Sequence, residues 1–312
     1  MNKLAIIIPY FKLDFFEETI ASLAGQTDRR FTLYIGNDAS PDDPLPMIDK
    51  YFRTTDYRYF DYKENVGGQD LPKQWQRILD NVTEEWFEIL GDDDVLSPNF
   101  VEEFYKCQGQ LAQMDIVKCK PILYTPQDQK QQDLYKGLAT GSYNALEFMI
   151  SKLGGNINCS LSEHIFRRSA FLKHGFVSYP LGWHTDDMVF LQVSDFGSFF
   201  YNADAVVYIR KYEGSISGSD KNLQKKNEAS ALFFDELTTE LLRQKKPLTI
   251  RLRFLQSLKQ YKANLGMKKI QQLYYRHGFQ GQFYFWVYQA KLALKRFLPS
   301  RIVRRIQVDG KK

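Results

Sequence analysis

Residues 1–110 alternate short apolar runs rich in β-branched side chains with stretches whose apolar positions recur at helical spacing. No other feature of the chain limits its fold as strongly. Leu4-Ala-Ile-Ile-Ile-Pro9 is a continuous apolar run of the kind that fills a strand buried on both faces. Phe15 to Leu23 has helical spacing, and Phe31 to Ile35 gives a second strand. A short helix at Met47 to Phe52, a strand at Tyr57 to Tyr62, a helix at Pro72 to Leu79, a strand at Trp86 to Leu90 and a helix at Asn99 to Cys107 continue the alternation. This β-α-β-α order predicts an α/β fold with a doubly wound, mostly parallel sheet. Such sheets bind ligands outside the carboxyl ends of their strands. The polar clusters at 37–43 and 91–94 fall at those ends.

Beyond residue 110 the pattern is looser. Residues 121–142, rich in Gln, Asp and Gly, read as an irregular loop. Helices near Asn144 to Lys152 and Asp187 to Val193, and strands near His164 to Arg168 and Ala205 to Arg210, follow. From Lys221 the chain turns helical and basic, with breaks at Pro247, Gly266, Gly278 and Pro299. The expected division is an α/β domain over 1–220, with halves 1–110 and 111–220, and a helical appendage over 221–312.

Three cysteines, Cys107, Cys119 and Cys159, with no CxxC pair, indicate a reducing compartment and neither a disulfide framework nor a zinc site. The N-terminus reads as a first strand and not as a signal peptide. No stretch reaches the roughly 18 apolar residues that cross a bilayer. The expectation is a cytoplasmic protein, soluble or peripheral at the inner face of a membrane. The net charge of +5 conceals a division: residues 243–312 hold 18 Lys and Arg against one acid, Asp309, leaving 24 bases and 36 acids in residues 1–242. A basic region this marked needs a partner: a membrane surface, a nucleic acid or the acidic part of the chain itself.

Asp92-Asp93-Asp94 is the sharpest chemical feature. Three adjacent carboxylates repel one another, and a hard cation such as Mg²⁺ or Mn²⁺ relieves the repulsion while keeping positions open for phosphate. The plainer reading is an acidic turn, with Asp94 or Ser97 capping the helix that starts near Pro98. The position after the fourth strand, with Asp38 after the second, favours the metal.

Ile6-Ile-Ile-Pro-Tyr-Phe11, Gly36-Asn-Asp-Ala-Ser-Pro-Asp42, Asn65-Val-Gly-Gly68 and Leu90-Gly-Asp-Asp-Asp94, in this order and at these strand ends, resemble the motif set of family 2 inverting glycosyltransferases with the GT-A fold. The resemblance is to members of the kind used in bacterial cell-surface polysaccharide assembly. The match is strong over about residues 3–110 and looser to about 219. The resemblance implies that Pro9 and Tyr10 line the nucleotide base pocket and that Asp38 bonds the base, commonly uracil, whose imide N–H a carboxylate can accept. It puts Asp92 and Asp93 on the nucleotide-sugar, Asp92 at the ribose or sugar, and a metal on Asp94. Lys73 either faces the base or diphosphate or is a solvated helix lysine.

Gly182-Trp-His-Thr-Asp186-Asp187 is the second element. In the family an acidic pair before a helix supplies the general base, and Asp187 matches its second member and Asp186 its first. An inverting displacement needs a carboxylate within reach of the acceptor hydroxyl; capping of the following helix is the plainer reading. Trp183 and His184 read as an acceptor platform or as packed core. Asn156 to Arg168 resembles the segment beneath the donor sugar, and Ile209 to Ser217 the closing loop. There Tyr212 stands where many members carry a His, which puts a third protein ligand for the metal in doubt. Arg210 would neutralise phosphate charge or sit in a surface ion pair. The four histidines show no metal spacing.

Residues 282–298 put Phe283, Trp286, Val287, Ala290, Leu294 and Phe297 on one helical face, with Lys291 and Lys295 on the other, and Arg301, Arg304 and Arg305 extend the charge. Over 279–306 this suits an anionic membrane surface, where each base contributes about 1 kcal/mol. Packing of the apolar face on the rest of the chain is the alternative, and no nucleic-acid module appears. The leading expectation is a glycosyltransferase that uses Mn²⁺ or Mg²⁺ and moves a hexose-type unit from a nucleotide-sugar, UDP-linked before dTDP or GDP, to a glycan or lipid-linked glycan with inversion. A nucleotidyltransferase would want a Gly-rich basic loop where Pro9-Tyr-Phe-Lys-Leu-Asp14 stands. An inactive sugar-binding scaffold would not need the Asp triplet.

Overall fold

The computed structural model describes residues 2–125, 130–157, 159–216, 218 and 221–297, and of residues 292 and 294–297 the backbone alone. Pro299, Arg301, Arg304 and Arg305, and the side chains of Leu294, Lys295 and Phe297, lie outside the described part. The chain divides into two compact units, Met1–Phe233 and Phe234–Lys312.

The first unit is built on a ten-stranded sheet. The strands β1 (Leu4–Tyr10), β2 (Phe31–Asp38), β3 (Tyr57–Tyr62) and β4 (Trp86–Ile89) run parallel in the order β3-β2-β1-β4. Helices α1 (Phe16–Ala24), α2 (Leu45–Ile48) and α3 (Leu71–Leu79) connect them. Ile6, Ile8, Leu33, Ile35, Trp86 and Leu90 are buried in one core with Phe16, Ile20, Phe100 and Phe104. A side chain of this kind contributes about 1.5–3 kcal/mol on burial, so the apolar runs have no competing use. α3 begins at Asp70, whose carboxylate accepts from the Lys73 N–H, with Pro72 in the first turn.

Past β4 the winding changes. After β5 (Val95–Leu96), α4 (Phe100–Lys106) leads to β6 (Ile116–Thr125), β7 (Lys130–Asp133) and β8 (Gly141–Asn144). The helix α5 (Ala145–Leu153), β9 (His164–Arg167), α6 (Arg168–Phe171), α7 (Thr185–Val193) and β10 (Ser198–Arg210) complete the set. β9 inserts antiparallel between β4 and β6, and β10 returns parallel to β6, giving the order β3-β2-β1-β4-β9-β6-β10-β5. The sheet is therefore mixed beyond β4. The irregular loop expected over 121–142 is replaced in part by the end of β6 and by β7 and β8. Lys118, Lys120 and Pro121 interrupt the apolar pattern of β6 and hide the strand, although Lys118 is fully buried.

The boundary between the units falls inside α8 (Leu223–Arg243). The second unit then packs α9 (Leu248–Ser257), α10 (Lys262–Tyr275) and α11 (Gly278–Phe297). Pro247 caps α9, Gly266 takes φ 73° inside α10, and Gly278 takes φ 71° at the start of α11, all three at the expected breaks. No described helix is long and apolar enough to cross a membrane.

Candidate active site

Because β1, β2 and β4 are parallel, their carboxyl ends share one edge, and the double reversal through β9 and β10 brings Arg210 to the same edge. The acidic turn sits there. Asp92 Oδ2 accepts from the Phe11 and Lys12 N–H groups at 2.9 and 3.0 Å, and its carbonyl accepts from Thr19 Oγ1 at 3.2 Å. It therefore fastens the loop after β1. Asp94 Oδ2 accepts from Ser162 Oγ at 2.5 Å and Oδ1 from the Arg210 N–H at 2.9 Å. The Asp93 and Asp94 carboxylates converge over Gly91: a Cβ there would lie 3.1 Å from Asp93 Oδ1 and 3.0 Å from Asp94 Oδ2.

Burial, and then the neighbouring carboxylates, push Asp93 up to about 8; burial pushes Asp94 up to about 6 despite its Ser162 and Arg210 donors. The buried carboxylate of Glu88 on β4 finds no hydrogen-bond partner among the described residues, and burial followed by the charge of Asp94 raises it well above the usual range. The turn is thus short of positive charge, which is the condition a divalent cation relieves. Among the described residues no group of three His, Cys, Asp or Glu side chains is set to hold an ion alone. Asp93 and Asp94 fit a divalent cation that would take its remaining ligands from outside this pair. Tyr212 interacts with Asp93 through its hydroxyl and packs edge-on against Phe15, with ring centroids 5.1 Å apart.

Several residues take other roles than expected. Arg210 is buried: Nε donates to the Asp93 carbonyl at 2.9 Å, Nη2 to Glu18 Oε2 at 2.5 Å, and the guanidinium lies 4.0 Å from the centre of the Phe15 ring. It backs the acidic turn from inside instead of reaching outward to phosphate. Lys12, which the sequence did not single out, sits at the mouth with Nζ donating to the Gly214 carbonyl at 2.8 Å. Lys73 is 69% exposed and pairs with Asp70 at 3.2 Å, the solvated-lysine alternative. Tyr10 is fully buried against Phe16, its hydroxyl donating to the Asp42 carbonyl at 3.1 Å, so it is core and not pocket lining. Pro9 remains partly open at the strand end.

Asp38 is engaged as well. Its carboxylate accepts from the Val66 and Gly67 N–H groups, both at 2.8 Å, and pairs with Arg77, which stacks 3.7 Å over Tyr62. It builds the Asn65–Gly68 turn before it can bond a base. Gly67 is required by close approach, since a Cβ would meet Asp38 Oδ2 at 2.5 Å.

The acidic pair separates into two environments. Asp187 is 2% exposed; Oδ1 is paired with Lys152, and Oδ2 accepts from His184 Nδ1 at 2.7 Å. Burial acts to raise it, but Lys152 and His184 outweigh burial and hold it below the usual carboxylate range. With both oxygens occupied and so low a basicity, Asp187 is ill suited to the general-base role expected for it. Asp186 beside it is only partly buried, and burial followed by the charge of Asp187 pushes it up to about 7. His184, at φ 70°, is buried and stacks on Phe233 with centroids 4.6 Å apart, the packed-core alternative. Trp183 stays half-buried with Lys226 Nζ 4.8 Å over its ring. Beneath the pair, Lys118 meets Glu163 Oε1 at 2.5 Å and His164 Nε2 at 2.5 Å, fixing the segment that presents Ser162.

The chain is similar to solved structures over most of its length. S. aureus TarS residues 1–349 in complex with UDP-GlcNAc aligns at TM-score 0.62 and 14% identity, covering 90% of this chain and 88% of that one. The mannosyltransferase PcManGT from Pyrobaculum calidifontis, in complex with GDP-Man and Mn²⁺, aligns at TM-score 0.53 and 15% identity, covering 99% and 79%. At these identities the likeness establishes the GT-A fold. No curated protein matches the sequence. The sequence profile of Glycosyl transferase family 2 matches residues 5–175, more than half of the chain and the whole stretch from β1 through the acidic turn and Ser162. The chain belongs to that family and is a glycosyltransferase.

Proposed function

We propose that this glycosyltransferase moves a hexose-type unit from a UDP-sugar to an acceptor hydroxyl by a single inverting displacement. The observation that carries the reading is the pair of Asp93 and Asp94 carboxylates, convergent over Gly91 and starved of positive charge. Mn²⁺ or Mg²⁺ held there would supply charge stabilisation for the departing diphosphate. Ser162 and the Arg210 N–H orient Asp94, Asp92 holds the loop after β1, and Lys12, bonded to the Gly214 carbonyl, adds a cation beside that loop. Pro9 and the turn organised by Asp38 border the base.

Asp186 removes the acceptor proton: it is the partly exposed member of the pair, raised by burial and by the charge of Asp187, whereas both oxygens of Asp187 are engaged. Asp187, ionised and clamped, keeps that poise through its charge. The acceptor we favour is a glycan or lipid-linked glycan of cell-surface polysaccharide assembly, met at the inner face of the membrane. The complexes of TarS with UDP-GlcNAc and of PcManGT with GDP-Man support nucleotide-sugar donors as a class.

Calorimetric titration of UDP, dTDP and GDP, with and without Mn²⁺, tests the donor site in the wild type and in Asp94→Ala. Metal-dependent binding of one nucleotide, lost in the variant, is expected; no binding of any nucleotide under either condition refutes the proposal. Asp186→Asn is expected to lower transfer about 10²–10⁴-fold with nucleotide affinity unchanged. A larger loss of chemistry in Asp187→Asn than in Asp186→Asn, at equal folded fraction, returns the base to Asp187.

A further inference from the structure

The second unit carries a surface that transfer chemistry does not use. One face of α11 is closed against α10. A Cβ at Gly281 would lie 2.0 Å from the Tyr274 carbonyl oxygen, Phe285 packs on Tyr274 at 5.6 Å, and Tyr288 stacks on the same ring at 6.4 Å. At 3.6 residues per turn, Phe279, Phe283, Trp286 and Ala290 lie within about 60° of one another and roughly opposite that closed face. Phe279 is 82% exposed, Trp286 63% and Phe283 56%. Large aromatics are costly to leave in water in a contiguous stripe. No charged residue interrupts positions 278–290. The unit is basic elsewhere: Lys262, Lys268, Arg276 and Lys291 are exposed, and the sequence after residue 297 holds five Lys and Arg against Asp309.

We infer that the Phe279–Phe283–Trp286 face of α11 is an interfacial anchor that lies in the headgroup region of an anionic bilayer. Aromatic rings favour that depth, and the excess of bases in the same unit is attracted by the negative surface potential. The helix lies on the membrane and does not cross it, consistent with its closed second face. A second copy of the chain would also cover an apolar stripe, but a net-basic unit repels its own kind and attracts acidic lipid. The inference stands apart from the donor chemistry, so a protein that binds nucleotide and no vesicle overturns this surface alone.

The test is cosedimentation of the full chain with vesicles of phosphatidylcholine alone and with about one-third phosphatidylserine, for wild type and for F279S/F283S/W286S. Binding to the anionic vesicles only, weakened by salt and reduced at least about tenfold in the triple variant at unchanged circular dichroism and melting temperature, is expected. Brominated acyl chains should quench wild-type fluorescence and lose most of that quenching in Trp286→Phe, since Trp75 and Trp86 are buried and Trp183, half-buried, belongs to the other unit. Three results overturn the inference: no binding to anionic vesicles, equal binding by the triple variant, or a dimer that the triple variant dissociates in a protein that ignores vesicles.

Discussion

Lys152→Met is the perturbation that most directly probes the acidic pair. Lys152 and Asp187 form a buried ion pair, their side chains 15% and 2% exposed. Removing the ammonium leaves a buried carboxylate with His184 as its remaining donor. Breaking such a pair from one side costs about 3–5 kcal/mol. For a unit of this size each kcal/mol moves the midpoint by about 2–4 °C, so the melting temperature should fall by roughly 6–20 °C. Chemistry should change as well. The charge of Lys152 lowers both Asp186 and Asp187, so its loss raises both. The acid limb of the pH–rate profile, set by Asp186 near 7, should then move to higher pH, and activity at pH 7 should drop. Thermal unfolding by circular dichroism, and the pH dependence of hydrolysis of the bound nucleotide-sugar, measure the two effects. Lys152→Met with Asp187→Leu removes both charges and should recover much of the stability. A single variant that melts within 2 or 3 °C of wild type (about 1 kcal/mol), with its acid limb unmoved, would refute the argument.

Three further outcomes follow from the same geometry. Asp94 is pushed up to about 6 in the metal-free protein against an ordinary value near 4, so its contribution to stability is present below that ordinary value and lost as pH rises through the window from about 4 to 6; Mn²⁺ at pH 8 should therefore raise the melting temperature of wild type and leave Asp94→Ala unchanged. Gly67→Ala drives a Cβ to 2.5 Å from Asp38 Oδ2 and should cost about 1–3 kcal/mol by denaturant titration while weakening nucleotide binding by calorimetry. Arg210→Met strips the acidic turn of its nearest fixed cation and should raise Asp93 and Asp94 further, so the pH at which Mn²⁺ binding sets in, read by calorimetry across a pH series, should move upward.

β1 was legible because it is buried and reads as an unbroken apolar run; the edge strand β3, with Arg58 and Asp61 exposed, was legible from its aromatic residues, and Tyr57–Tyr62 has the bounds that the sequence predicts. β6 was not legible, since a lysine inside it reads as solvent-exposed until its partner Glu163, 45 positions away, is known. The acidic turn was readable from three adjacent carboxylates at a strand end. The fates of Asp38, Tyr10, Arg210 and His184 were not, because each depends on a neighbour that sequence spacing does not reveal. Asp38 meets Arg77 39 positions on, and Arg210 meets Glu18 192 positions back. Residue type told which groups could do chemistry, while tertiary contacts decided which were already committed to holding the fold.

The reversal through β9 has a consequence for how the protein comes into being. Asp94 receives Ser162 from 68 positions downstream and the Arg210 N–H from 116, and Lys12 reaches Gly214 across 202. Loops of this length close late, since their entropy is lost before the contact rewards it. During synthesis the four parallel strands can assemble while the acidic turn still lacks both of its clamps. Competence at this site therefore arrives with the last strand, and a nascent chain ending before residue 210 would hold a nucleotide-side scaffold with an unfinished, self-repelling acidic turn.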